Sequence, residues 1–210
     1  MGKNQHSEFR IVILASGNGT NAERIMTYFA DSELAEVVLV LTNNPDAGVL
    51  SRAEKAGVNA LVLSRNVYAH GAQFLEFLEA SQPDLIVCAG YLKLVPAEVV
   101  AAFENRIVNI HPSLLPQYGG KGMYGKRVHE AVIANGDAES GITIHQVNEV
   151  YDQGEILLQE RISVEPGWTP SDLAQAIHKL EHAHFPRVIE SLLKAKQAGK
   201  SHPVSTQPHS

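Results

Sequence analysis

Five short apolar runs recur through the first half of the chain, at residues 10–15, 36–42, 60–63, 84–89 and 107–110. They are rich in Val and Ile, too short for helices, and largely continuous rather than alternating, the pattern of strands buried on both faces. Between them, residues 22–29, 49–56 and 73–80 show helical spacing, the last marked by Phe74, Phe77 and Leu78. Asn21 stands near the predicted N-cap of the first helix and Gly57 at the C-terminal end of the second. Strands alternating with helices predict an α/β domain built on a mostly parallel, doubly wound sheet. Right-handed crossovers then gather the loops that follow strands along one rim. Residues 16–21, 43–46 and 90–94 and the segment from Asn109 belong to that rim.

The pattern changes after Pro116. Residues 117–125 hold four glycines and read as a loop, and 126–134 as a helix ended by Asn135-Gly136. Residues 141–147 and 155–164 alternate and predict two more strands, paired antiparallel at one end of the sheet. A long helix starts at Thr169-Pro170-Ser171-Asp172, with Leu173, Ala176, Ile177 and Leu180 on one stripe. Pro186 is predicted to kink or break it, with helix resuming over 188–195. The reading is one domain over residues 10–195, without internal repeats, and flexible termini at 1–9 and 196–210.

Lys and Arg number 17 against 23 Asp and Glu, a formal net charge of −6. That balance argues against a general nucleic-acid or membrane surface and for small-molecule partners. No apolar run is long enough to span a bilayer, and the polar start lacks a signal-peptide pattern. Cys88 is the single cysteine and lies in an apolar run, which suits a buried free thiol in a reducing, cytoplasmic compartment. A homodimer is compatible with the sequence.

Ser16-Gly17-Asn18-Gly19-Thr20-Asn21 sits between a strand and a helix, a ready anion site. It lacks both the full dinucleotide pattern and the Gly-Lys-Ser/Thr of a nucleotide P-loop. Asn109 and His111 stand two apart at the end of the fifth strand, so an amide donor and a titratable imidazole share one face. Pro112 and Pro116 stiffen the exit, and Leu115-Pro116 is the candidate for a cis bond. Asp152 is expected to fold back toward His111, raising its pKa and favouring imidazolium. His129, His145, His178, His182 and His184 form no metal-ligand pattern, and no metal is expected.

Five segments together carry a family resemblance: residues 12–21, Ala89-Gly90-Tyr91-Leu92-Lys93-Leu94, Asn109-Ile110-His111-Pro112-Ser113-Leu114-Leu115-Pro116, Gly141 to His145, and Tyr151-Asp152-Gln153-Gly154. Over residues 10–192 the chain resembles the phosphoribosylglycinamide formyltransferases, within the folate-dependent formyltransferase superfamily and its Rossmann-like fold. The resemblance implies transfer of a formyl group from 10-formyltetrahydrofolate, as co-substrate, to the amine of 5-phosphoribosylglycinamide in purine biosynthesis. It implies a catalytic trio of Asn109, His111 and Asp152. Gly19, Thr20, Asn21 and Glu181 would hold the phosphoribosyl group. Leu92, Lys93, Leu94, Val95, Val147 and Asn148, with Asn109 and Asp152, would line the folate site. Asn109 and protonated His111 would stabilise the oxyanion while Asp152 orients His111 and helps move a proton. The loop at 118–126 and the lack of a clear Arg match near Arg65 depart from familiar members.

Alternative readings remain. A sugar-nucleotide N-formyltransferase would share the trio and bind another amine. A non-catalytic phosphate-ligand binding protein would use the glycine loop alone. A deformylase and a methionyl-tRNA formyltransferase are disfavoured, since each is expected to carry a further domain.

Overall fold

A computed structural model describes residues 7–199. Five strands run parallel: β1 (Phe9–Leu14), β2 (Ala35–Thr42), β3 (Ala60–Val62), β4 (Leu85–Cys88) and β5 (Ile107–His111). Two more, β6 (Glu139–Gln146) and β7 (Ile156–Ser163), join antiparallel. The sheet order is β3-β2-β1-β4-β5-β6-β7. The helices are α1 (Thr20–Tyr28), α2 (Val49–Ala56), α3 (Arg65–Ala69), α4 (Gly71–Ser81), α5 (Ala97–Ala102), α6 (Lys126–Asn135) and α7 (Pro170–Gln197). The predicted architecture is present, including the antiparallel end.

Strand periodicity divides the core between the two faces. In β1, Ile11 and Ile13 pack with Ile25 of α1 and Ile177 and Phe185 of α7. Val12 and Leu14 point the other way, to Phe74 and Leu78 of α4 and Val99 of α5. All of these side chains are fully buried, and burying one such Val, Ile, Leu or Phe contributes about 1.5–3 kcal/mol.

Several expectations are corrected. α1 starts at Thr20 and its N-cap is Gly19, not Asn21. Gly19 has φ 78° and lies so close to α2 that a Cβ would stand 2.5 Å from Val49 Cβ. Phe77 is 41% exposed, because α4 buries only the narrow stripe of Phe74 and Leu78. α3 and α5 escape sequence reading: α3 buries no residue and α5 only Val99, so neither carries an apolar stripe. The folded body also exceeds 10–195. Phe9 lies in β1, Glu8 donates its N–H to the Glu33 carbonyl, and Lys196 in α7 reaches Asp84 at 2.5 Å. The rest of the predicted flexible termini, residues 1–6 and 200–210, lies outside the described residues. Among the described residues no helix is long and apolar enough to cross a membrane.

Pro186 does not break α7, which runs unbroken through it for 28 residues. A proline here leaves the carbonyl four residues earlier, that of His182, without its helical donor. Arg24 of α1 supplies one: its Nε–H donates to the His182 carbonyl at 3.2 Å. Arg24→Met should therefore lower stability to urea by about 0.5–1 kcal/mol. The loss should shrink in a Pro186→Ala background, where the helix's own N–H returns to His182. Equal losses in both backgrounds would disprove the pairing.

Candidate active site

The strand order reverses between β1 and β4, so the loops leaving their C-terminal ends part and open a crevice. Ser16 ties the rim together. Its N–H donates to Gly90 O at 3.0 Å and its hydroxyl to Asn43 Oδ1 at 2.6 Å, while Leu92 N–H donates to Ser16 Oγ at 2.9 Å. The 43–46 loop thus braces the rim without lining the crevice. A cavity of about 600 Å³ opens there, bounded by the 17–21 loop, Asn109, His111, His129, Asp152 and Glu181.

At one end stands the predicted trio. Antiparallel register sets Asn109 of β5 opposite His145 of β6. His145 Nδ1 lies 2.7 Å from the Gln146 carbonyl, which only accepts, so Nδ1 carries the proton. The bare Nε2 then accepts from Asn109 Nδ2 at 3.1 Å. One amide N–H is used and the second is left over. His111 is buried, and its Nε2–H donates to the Tyr118 carbonyl at 2.8 Å. That leaves Nδ1 facing Asp152 Oδ2 at 3.6 Å. Asp152 accepts from Gly120 N–H at 2.8 Å, and its other oxygen is 3.7 Å from His145 Nε2. Asp152 adopts φ 55°, a left-handed conformation that Asp tolerates better than most residues. The turn presses on β6 so closely that a Cβ on Gly154 would stand 1.7 Å from Gln146 O.

Electrostatics correct one expectation. Burial pulls the His111 pKa below 6.5 and outweighs the opposing pull of Asp152 and the Tyr118 carbonyl, so His111 rests neutral rather than as imidazolium. Burial works to raise the pKa of Asp152. The His145 ring, His111 and the Gly120 N–H prevail and hold it below the usual carboxylate value.

The segment after His111 is anchored by β6 and β7. Thr143 Oγ1 donates to Ser113 O at 2.7 Å and accepts from Leu115 N at 3.0 Å, and Gln159 Nε2 donates to Leu115 O at 2.8 Å. The Leu115–Pro116 bond is cis, as the sequence suggested.

At the other end, Gly19, Thr20 and Asn21 form the start of α1, whose free N–H groups favour an anion. Asn21 Nδ2 donates to Glu181 Oε2 at 2.9 Å, and His178 Nδ1–H donates to the same oxygen at 2.8 Å. That hydrogen bond raises the pKa of His178. Leu92 and Lys93 border the main cavity. Leu94, Val95, Val147 and Asn148 gather around a side cavity of about 60 Å³ that shares Lys93, Asn109 and Asp152 with it. The predicted catalytic, phosphoribosyl and folate-site residues therefore line these two adjoining cavities. His145, His129 and His178 were passed over for want of a metal pattern. Only the β5–β6 pairing reveals His145, and only the packing of α6 on α7 brings His129 near Glu181.

Comparison with known proteins gives a consistent result. The family model described as "Formyl transferase" matches residues 9–189. Phosphoribosylglycinamide formyltransferase of Arabidopsis thaliana, a chloroplastic protein, is 38% identical over 89% of this chain, which spans 66% of that protein's length. The Bacillus subtilis phosphoribosylglycinamide formyltransferase is 34% identical, over 91% of this chain and 98% of its own. The crystal structure of glycinamide ribonucleotide transformylase 1 from Symbiobacterium toebii superposes with a TM-score of 0.83 at 35% identity, covering 91% of this chain and 90% of its own.

The buried histidines predict a pH dependence of stability. Burial lowers the pKa of His111, His129 and His182. The unfolded chain therefore binds protons more readily below about pH 6.5, so their contribution is fully present above that value and is lost as pH falls. His178, raised by Glu181, acts in the opposite sense and is about half exposed. Urea midpoints should drop between about pH 7.5 and about pH 5.5, and His111→Asn should flatten that slope. A slope unchanged in His111→Asn would show that the ring is not held neutral by burial.

Proposed function

Because the chain belongs to the formyl transferase family, we propose that it transfers a formyl group from 10-formyltetrahydrofolate to the amine of 5-phosphoribosylglycinamide. The observation that carries this reading is a single cleft with an amide, a neutral imidazole and a carboxylate at one end and an anion-binding helix start at the other. The relatives named phosphoribosylglycinamide formyltransferase support the choice of acceptor.

In this reading the phosphate sits on the 19–21 turn and Glu181 takes the ribosyl part, which directs the free amine toward His111. The folate head enters past Leu92 to Val95 and the segment at 147–152. The amine nitrogen attacks the formyl carbon, and the carbonyl oxygen becomes an oxyanion. Asn109, steadied by His145, turns its second N–H to that oxygen. The attacking amine must lose a proton. Neutral His111 accepts it on Nδ1, and Asp152 stabilises the imidazolium so formed. The imidazolium adds positive charge beside the oxyanion. Collapse re-forms the carbonyl, breaks the bond to folate N10, and returns a proton to that nitrogen. The sole cysteine, Cys88, is a buried free thiol whose pKa burial pushes up to about 12, which suits a reducing compartment such as the cytoplasm.

His111→Ala and Asp152→Asn should each lower kcat by about 10²–10³-fold while leaving circular dichroism unchanged. Formyl transfer is measured with phosphoribosylglycinamide, a sugar-nucleotide amine and water as competing acceptors. Near-normal turnover by either variant would defeat the assigned roles, and transfer only to the amino sugar would move the substrate assignment to the sugar-nucleotide enzymes.

A further inference from the structure

Glu181 is surrounded by polar atoms that lack partners. Asn21 Oδ1, His129 Nδ1 and His182 Nε2 are each buried without a hydrogen bond, and Asn21 donates its amide to Glu181 while both histidines feel its charge. Asn21 and His129 border the cavity. His129 is the more informative, being only 3% exposed on α6 between the core residues Val128 and Val132. A buried polar atom without a partner costs about 1–3 kcal/mol, and a Phe or Leu would occupy the same place without that cost. His129 lies on α6, which packs against α7, the helix that carries Glu181, and it borders the same cavity as His111 and the 19–21 turn.

The surroundings select what could pair with it. The phosphate is assigned to the free N–H groups of the 19–21 turn, which leaves a different group for His129. Burial keeps the His129 ring uncharged. The complementary group is neutral and must both donate and accept, since it meets a carboxylate and an imidazole together. A hydroxyl does both. We infer that His129 Nδ1 pairs with a ribosyl hydroxyl of the substrate, at a hydroxyl-reading position shared with Glu181. The inference rests on the functional reading above and adds to it a specificity residue on α6.

The test compares the wild type with His129→Phe and His129→Asn on phosphoribosylglycinamide and its 2-deoxy and 3-deoxy ribosyl analogues. His129→Phe should raise KM for the ribosyl amine about ten-fold, the loss of about one hydrogen bond. It should leave kcat and the KM of the formyl donor within about two-fold. His129→Asn, with an amide near the Nδ1 position, should recover part of the loss. One deoxy analogue should be penalised in the wild type and penalised less in His129→Phe, where only the contact to Glu181 remains to be lost. A ribosyl KM in His129→Phe within about two-fold of wild type, or a full further penalty for both analogues, would overturn the inference. If the wild type does not formylate phosphoribosylglycinamide, the functional reading fails separately. Calorimetry with ribose 5-phosphate and its two deoxy forms then decides. A ribose preference reduced in His129→Phe upholds the role, and one that persists undiminished overturns it.

Discussion

The antiparallel pairing of β5 with β6 is the constraint on which the site depends. A sixth strand added in parallel would need a crossover connection of about a dozen residues or more. By returning antiparallel, β6 brings its C-terminal end back beside the start of β5, and places His145 directly across from Asn109. The turn that leaves β6 then carries Asp152 back over His111. The same strand holds the proline segment through Thr143, whose hydroxyl both donates and accepts. One change of strand direction thus orients an amide, fixes a carboxylate and secures the backbone that bears the imidazole.

Burial then sets the charges. His111 and Asp152 lie in a poorly hydrated corner where an isolated charge is expensive. Asp152 stays ionised because the Gly120 N–H donates to it and the His145 and His111 rings lie against it, whereas His111 has a backbone carbonyl on one nitrogen and a carboxylate 3.6 Å from the other. The balance leaves one negative charge and one bare nitrogen, which is a place for a single proton. Protonating His111 converts a buried carboxylate next to a neutral ring into an ion pair. The proposed reaction releases one proton from the amine, and the resting site is in the state that can accept it.

The fold was largely legible because the strands are apolar on both faces and the turns between them carry Gly, Asn and Pro. What escaped were elements without a periodic stripe, such as α3 and α5, and effects that arise only across space. Pro186 is the clearest case. Sequence marks it as a helix breaker, and the donor that compensates for it, Arg24, sits 162 positions earlier in the chain. Among the site residues, Asn109, His111 and Asp152 were readable from a motif, and their convergence was not. His145 looked like one more strand residue until its cross-strand partner was known. The charge state of His111 was misjudged because a sequence shows the neighbouring carboxylate and hides the desolvation that outweighs it.

One signal was present in the sequence in a form that composition does not reveal. Along α7 the buried positions Ile177, Glu181, Phe185, Ile189 and Leu193 fall four apart, a single core stripe with a carboxylate in it. On a helix selected only for packing, that position would be apolar. The structure compensates the charge locally through Asn21 and His178, yet it still leaves Asn21 Oδ1 and His129 Nδ1 without partners nearby. Residual unsatisfied polarity at a core position is what a site retains when its missing partner belongs to a ligand rather than to the chain. In the proposed reading, the helix that closes the core is also the helix that reads the substrate, and some packing along α7 is given up to keep that group buried and aligned.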